Sequence, residues 1–311
     1  MNTFGHNFRL TSFGESHSQA IGGIVDGCPP GVAVDYDLLL SEMARRHLGA
    51  DATTRQEPDD VELLSGILNG VTLGTPIAFI IRNKEQRSTD YNDLADCYRP
   101  GHADFTWQQR YGLRDFRGGG RASARETAVR VAAGALAKMV LRQRLINVEA
   151  SVLYNPTPAE NDSSGGIIQC TVRGLPAGVG NPIFGKLNAC LAAAIMSIPS
   201  ATGFEMGEGF SAAHMKGSEW ADQWRSDGSL GTVTNHCGGI QGGISNGMPI
   251  LFRAAFHPVA TLPIPTQCLT PLGTTKTITP HGRHDRNHIP RTVVVVEAMT
   301  ALVIADLLGS S

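Results

Sequence analysis

The spacing of apolar and polar positions predicts a mixed α+β chain. Residues 61–68 and 71–81 are β-prone runs separated by Asn69-Gly70, a dipeptide that favours the tight turn of a hairpin. Residues 35–46, DYDLLLSEMARR, read as a short helix with acids in its first turn and arginines in its last, complementing the backbone dipole. Residues 124–144 carry Ala, Val and Leu on nearly every face, the pattern of a buried helix. At its head stands Ser123-Ala-Arg-Glu126, a capping-box signature. Residues 292–308 begin β-branched and end as a second buried helix, and residues 151–166, polar and proline-containing, predict a connection.

One pattern recurs. The strand-like run 167–173 leads into Gly174-Leu-Pro-Ala-Gly-Val179, which echoes Gly27-Cys-Pro-Pro-Gly-Val32 near the start. Each echo follows a strand-like run and precedes a helix, which predicts an internal β–turn–α duplication. No low-complexity linker divides the chain, so a single domain over residues 1–311 is expected.

Composition narrows the function classes. Hydrophobic residues at 41% and charged ones at 17% fit a globular protein with a substantial core. Thirty-six glycines, more than a tenth of the chain, suit a cofactor-binding enzyme better than a helical scaffold. A net charge of −2 argues against a general nucleic-acid or membrane-surface binder. Six cysteines without a C-x-x-C pair fit reduced thiols used in packing. The first residues lack the apolar core of a signal peptide and no apolar run reaches about 18 residues, so a cytoplasmic location is expected.

Against that near-neutral background, residues 99–130 hold seven arginines and only three acids, a local excess of +4. Inside the cationic stretch, Gly118 to Gly120 precede the capping box. Glycines let backbone N–H groups approach an anion, and a helix N-terminus adds partial positive charge. The pattern predicts a site for a multiply charged, phosphorylated small molecule; the competing reading is a solvated arginine face beside a flexible loop. The aromatics interleaved there (Phe105, Trp107, Tyr111, Phe116) lack an RNA-stacking module.

Three histidines sit in glycine-flanked or turn-like settings and are candidates for proton transfer: His17, His102 and His284. His281, His284 and His288 are spaced 3 and 4 apart near Asp285, but Gly282 and Pro290 oppose the helix that would bring them onto one face, and no metal site is expected. No G-x-S-x-G elbow, Walker A loop or strand-linked G-x-G-x-x-G is present, so phosphate is bound by another geometry.

FGESH (13–17), EPDDVELLSGILNGVTLGTPI (57–77), RPGHAD (99–104), YGLRDFRGGGRASARET (111–127), HCGGIQGGIS (236–245), GRHD (282–285) and VEAM (296–299) together resemble the chorismate synthase family, from about residue 5 to about residue 308. The resemblance implies a β-α-β sandwich with internal duplication, assembled as a homotetramer. It also implies a carbon–oxygen lyase that eliminates phosphate from 5-enolpyruvylshikimate 3-phosphate to give chorismate, in the route to aromatic amino acids. The family uses reduced FMN without net redox change, with NADPH a candidate reductant. By the same resemblance His17 protonates the departing phosphate, His102 stabilises the anionic flavin near its N1/O2 edge, and Asp285 acts beside flavin N5. Arg46, Arg99, Arg125 and Arg283 correspond to substrate-holding arginines. Arg121, Ala122, Ser123, Gly242, Arg283 and the run His257, Pro258, Val259, Ala260 and Thr261 correspond to FMN contacts.

The chain also departs from the family pattern. Arg45-Arg46-His47-Leu48-Gly49 stands for the usual Arg-Arg-Arg-Pro-Gly, and the loop after it is two residues short, leaving Ala52 nearest to a missing arginine. His257 to Thr261 stands for Lys-Pro-Thr-Ser-Ser, and Arg286-Asn287-His288 replaces a run starting Pro-Cys. An insertion common around 146–166 is absent. Two alternatives stay open on these residues: a divergent relative eliminating from another phosphorylated or carboxylated ring, or a flavin- or phosphate-binding protein without turnover.

Overall fold

A computed structural model of the chain describes residues 1–47, 59–84, 93–227, 231–280 and 286–309. The first half runs β1 (Thr3–Phe4), β2 (Arg9–Phe13), β3 (Ala20–Asp26), α1 (Tyr36–Ala44), β4 (Val61–Leu63), β5 (Ile67–Leu68), β6 (Val71–Thr72), β7 (Ile77–Arg82), α2 (Asp104–Tyr111) and α3 (Thr127–Arg142). The second runs β8 (Asn147–Tyr154), β9 (Gly166–Arg173), α4 (Leu187–Met196), β10 (Ala201–Met206), α5 (Gly217–Trp220), β11 (Ile240–Gln241), β12 (Ile244–Ser245), β13 (Ile250–Phe256), β14 (Thr266–Leu269), β15 (Thr275–Ile278) and α6 (Ile289–Leu308).

The two halves repeat one topology. Their main antiparallel sheets have the orders β1-β2-β3-β7-β4 and β8-β9-β13-β10. Without the extra edge strand β1 these match: a strand pair, a helix, an outer strand, a small hairpin, then a strand inserted between its predecessors. A long helix closes each half. α3 packs on β2 and β3, α6 on β8 and β9, and the two helices pack on each other between the sheets. Strand alternation explains the layering, because residues two apart share a face. Ile77, Phe79 and Ile81 on β7 and Ile250, Phe252, Ala254 and Phe256 on β13 are buried, and one apolar core runs through both halves. α3 and α6 approach closely at Gly134, where a Cβ would stand 2.4 Å from that of Ala298.

The echoed turns are equivalent in conformation as well as in sequence. Gly27, Gly31, Gly174 and Gly178 have φ of +83°, +81°, +79° and +99°. A Cβ at Gly27 would meet the Asn7 carbonyl at 1.7 Å and one at Gly174 the Leu145 carbonyl at 2.3 Å, so both turns need glycine. The expected hairpin forms as β5–β6, with Asn69 and Gly70 at φ 49° and 75°, as a type I′ turn requires.

Four local expectations are corrected. Each long β-prone run breaks in two, giving β4 and β5, then β6 and β7. α1 stops at Ala44, with Asp35 capping Leu38 N–H at 2.8 Å, and Arg45–His47 forms a separate 3-10 turn. β8 extends to Tyr154, into the stretch read as a connection. The capping box is only half made. Ser123 Oγ accepts from Arg125 N–H at 3.4 Å, but Glu126 turns to Arg130 at 2.9 Å and Ser12 Oγ at 3.3 Å, and a 3-10 turn (Ala124–Glu126) precedes α3. Residues 292–296, Thr-Val-Val-Val-Val, are helical throughout because burial between layers outweighs their modest helix propensity. Among the described residues no helix is long and apolar enough to cross a membrane, and no group of metal-ligating side chains stands together.

Candidate active site

A cavity of about 1410 Å³ lies between the halves, at the N-terminal ends of α3 and α6. Its first-half wall comprises Arg46, His47, Asp59 and much of 99–127. Its second-half wall comprises Ile198 to Ser200, His257, Val259 to Thr261, His288 and Arg291.

The triple glycine covers His17. Gly118, Gly119 and Gly120 have φ of 59°, 82° and 55°, a left-handed run closed to other residues without strain. A Cβ on Gly118 would stand 2.3 Å from His17 Cε1, and one on Gly120 would stand 3.1 Å from Asp115 Cβ. Gly119 meets only the Arg99 guanidinium, at 3.8 Å. His17 is 4% exposed, and its Nδ1 lies 3.0 Å from Ser16 Oγ. Ser16 donates its hydroxyl to the Arg117 carbonyl at 3.3 Å and its N–H to the Gly120 carbonyl at 3.2 Å. Loop and histidine therefore form one hydrogen-bonded unit. Burial raises the Asp115 carboxyl, but hydrogen bonds and charge from Arg117, with His17 nearby, hold it below its ordinary range.

The arginines are not the open cationic face that their count suggests. Arg99 is bidentate to Asp104 at 2.8 and 3.0 Å, and Arg114 lies 3.6 Å from the same carboxylate. Arg117 is bidentate to Asp115 at 2.8 and 2.9 Å. Arg46 and Arg125 both pair with Asp59, which is absent from the charge count of 99–130. Arg121 differs: its contacts are the carbonyl and hydroxyl of Ser12 at 2.8 and 2.5 Å, the Gly14 carbonyl at 3.5 Å and Asn2 Oδ1 at 3.4 Å, all neutral. Its charge is uncompensated by any carboxylate in that set. Seven arginines and five acids line the cavity among the described residues, leaving an excess of +2.

Imidazoles and hydroxyls from both halves complete the lining: His102 from the first, and Ser200, His257, Thr261 and His288 from the second. His102 Nδ1 lies 2.9 Å from the Pro100 carbonyl, which can only accept, so Nδ1 carries the hydrogen. In the neutral ring Nε2 then accepts from the Thr261 hydroxyl at 2.7 Å. Burial, then the Arg99 charge, lowers the His102 pKa and favours that neutral form. His257 donates its N–H to the Ser200 carbonyl at 2.9 Å and directs its Nδ1 at the Pro258 carbonyl, 2.6 Å away. Ser200 has φ +69°, costly for a non-glycine residue. Its hydroxyl donates to the Pro199 carbonyl at 2.5 Å, so at 2.8 Å it accepts from His288 Nε2–H. Burial and then Arg291 lower the His288 pKa to about 4, keeping the ring neutral near pH 7.

Of the sequence-derived candidates, Arg46, Arg99, His102, Arg121, Ala122, Ser123, Arg125, His257, Val259, Ala260 and Thr261 all line this one cavity. His17 does not line it: the ring is buried directly behind Gly118, which does. Gly242 is not brought there: it turns the β11–β12 hairpin with φ +62°. Pro258 is in the same segment but does not line the cavity. Arg283 and Asp285, with His284, lie outside the described residues. Asp59, Ser200 and Arg291 were not singled out from sequence. Asp59 sits in the EPDD run, whose buried carboxylate had no recognisable partner until the arginines were located. His288 was considered as a metal ligand and as part of a departure from the family pattern, not as a cavity residue.

Comparison with known proteins gives a consistent result. The family model for chorismate synthase matches residues 8–156 and 154–308. The chain is 45% identical to "Chorismate synthase" of Cytophaga hutchinsonii, covering 98% of this chain and 96% of that one. It is 46% identical to the protein of the same name from Synechococcus sp., at the same two coverages. These alignments extend over 347 positions, more than the 311 residues here, so the relatives carry insertions that this chain lacks. A solved structure, "Crystal Structure of Chorismate Synthase", superposes with a TM-score of 0.76 at 27% identity, covering 98% of this chain and 92% of that one. A repeated sheet–helix frame, a glycine-sealed histidine and a full-length match in sequence and structure agree: the chain belongs to the chorismate synthase family.

Proposed function

We propose that this carbon–oxygen lyase forms chorismate by eliminating phosphate from 5-enolpyruvylshikimate 3-phosphate, with reduced FMN bound in the same cavity. The observation that carries the reading is His17: a buried imidazole sealed directly behind Gly118, one residue deep from a cavity wall that also presents Arg121. The cavity residues fit a flavin beside a ring substrate. The volume of about 1410 Å³ exceeds the roughly 300–1,000 Å³ of an ordinary ligand pocket. The Cβ direction of Gly119 is open apart from Arg99, and Arg121 presents positive charge. Reduced FMN, when bound, supplies electron density for carbon–oxygen cleavage without net oxidation.

The chain's own residues account for the rest of the step. His17, oriented by Ser16, gives a proton to the departing phosphate, with the Asp115 carboxylate nearby. Arg46 and Arg125 take the substrate anions, which a planar guanidinium binds better than an ammonium does. His102 is neutral in the ligand-free cavity, and an anion placed against it favours its protonated form. Arg121, Ala122, Ser123 and the 257–261 segment hold the flavin; Thr261 retains a hydroxyl there despite the altered sequence. Arg283 and Asp285 join by family correspondence, Asp285 as the group that would help carry off the ring proton lost as the new double bond forms. Family membership also supports a single domain, a homotetramer, a cytoplasmic location and NADPH as reductant. The deciding experiment is anaerobic: chemically reduced FMN and the enolpyruvyl substrate should yield chorismate and inorganic phosphate in equal amounts. Phosphate without chorismate, or neither product, would overturn the proposal.

A further inference from the structure

Three consecutive residues after α1 are each anchored differently. Arg45 turns into the core, to Glu297 at 2.6 and 2.8 Å and Glu42 at 3.0 Å. Arg46 turns into the cavity, with one amino group on Asp59 and the other 3.3 Å from Thr127 Oγ1, at the start of α3. His47 lies 3.5 Å from Asp59 Oδ2. From the opposite side, Arg125 meets the other Asp59 oxygen and places its Nε 3.0 Å from Asn83 Oδ1. The Asp59 carboxylate is 1% exposed, while the two arginine side chains at 10% and 8% border the cavity.

We infer that Asp59 is a positioning residue, whose carboxylate clamps Arg46 and Arg125 side by side so that both receive the anionic part of the substrate. Two guanidinium groups held this close repel each other, and one carboxylate with an oxygen for each offsets that repulsion. Burial lowers the Arg46 pKa to about 10 despite Asp59, so the pair is already costly to keep charged. Burial opposes ionisation of Asp59 too, yet the His47 bond and both arginine charges hold its pKa far below the ordinary value. A guanidinium has five N–H donors, so a ligand anion joins the clamp without displacing Asp59. The clamp joins the turn after α1, the approach to β4, the end of β7 and the start of α3.

The inference rests on the proposed reaction for the identity of the anion, and its test separates the two. Asp59→Asn adds one positive charge to the cavity, so charge alone predicts tighter anion binding and loss of positioning predicts weaker binding. Calorimetric titration with inorganic phosphate should show at least tenfold weaker binding to Asp59→Asn than to the unaltered chain; equal or tighter binding overturns the clamp. In turnover, Asp59→Asn should raise KM for the enolpyruvyl substrate at least tenfold and lower kcat less than threefold. Because Asp59 acts through the arginines, the same substitution in an Arg46→Ala background should change KM by clearly less; a full tenfold increment there also overturns it. If the unaltered chain makes no chorismate, the reaction proposal falls while the phosphate titration still decides the clamp. Should the Asp59 variant fail to fold by circular dichroism, NMR of the unaltered chain decides. Slowly exchanging Nε–H signals from Arg46 and Arg125, assigned with Arg→Lys variants, support the clamp, and fast exchange at both refutes it.

Discussion

α3 and α6 occupy corresponding places in the two halves and start at the wall of the same cavity, but the residues at those starts differ. α3 is preceded by three left-handed glycines, Arg121, a half-made serine cap and Arg125. α6 is preceded by His288, held to a strained Ser200 in the turn after α4. After α1, the corresponding turn carries Arg45, Arg46 and His47. The first-half starts thus gather several arginines, most of them paired with carboxylates, while the start of α6 sets His288, which burial keeps neutral, beside Arg291. The sheets and central helices of the two halves kept their pattern because each strand must bury every second residue. The turns were free to diverge because their side chains face a cavity.

The largest effect expected from this comparison is on turnover. His17→Ala should lower kcat by about 10²–10⁴, the usual range for a proton-transfer group, while His288→Ala should lower it less than tenfold. Comparable losses in two variants with native circular dichroism would mean that the halves share the proton chemistry.

A second test breaks the contact between halves. Glu297 on α6 accepts from Arg45, from Lys138 at 2.6 Å and from Ala150 N–H at 2.9 Å. Glu297→Ala leaves the buried Lys138 and the half-buried Arg45 with Glu42 as their shared carboxylate and should cost about 3 kcal/mol in urea unfolding. A loss under about 1 kcal/mol would show that the halves are held by apolar packing alone.

Acid titration separates the halves by pH window. His288 takes its proton near pH 6.5 when unfolded but near 4 when folded, so the unfolded state binds protons first. Stability should fall as pH drops from about 6.5 to about 4, by up to about 3 kcal/mol. His288→Gln should flatten that slope. Asp59 in the first half has a folded pKa below its ordinary value of 3.8, so its contribution is kept above that value and lost only as pH falls further. A slope between pH 6.5 and 4 that is unchanged in His288→Gln would assign the first window to another group.

The smallest effect concerns the start of α3. The Ser123 cap spans 3.4 Å and lacks its glutamate counterpart, so Ser123→Ala should cost less than about 1 kcal/mol in thermal unfolding, the low end for an N-cap. A loss near 2 kcal/mol would mean that the cap closes fully in solution.

The sequence by itself determined the features that depend on residues close together in the chain. Asn69-Gly70 specifies its turn because both residues tolerate positive φ, and the two glycine echoes disclose the duplication for the same reason. All-round apolar stretches identify α3 and α6 because a helix with no polar face has to be buried. The glycine loop and His17 were legible as well, since few other roles need three such residues beside so many arginines. Tertiary structure alone decided which charges remain available. Arg125 finds its carboxylate 66 residues away, His288 its hydroxyl 88 away, and Lys138 the Glu297 carboxylate 159 away. A charge count along the chain sums ions without their partners, and partners are chosen only when two sheets close on two helices and desolvate whatever lies between. Burial then makes an unpaired charge too costly to keep, which is why Arg46 and Arg125 at the cavity share the buried carboxylate of Asp59, a residue outside the cationic segment.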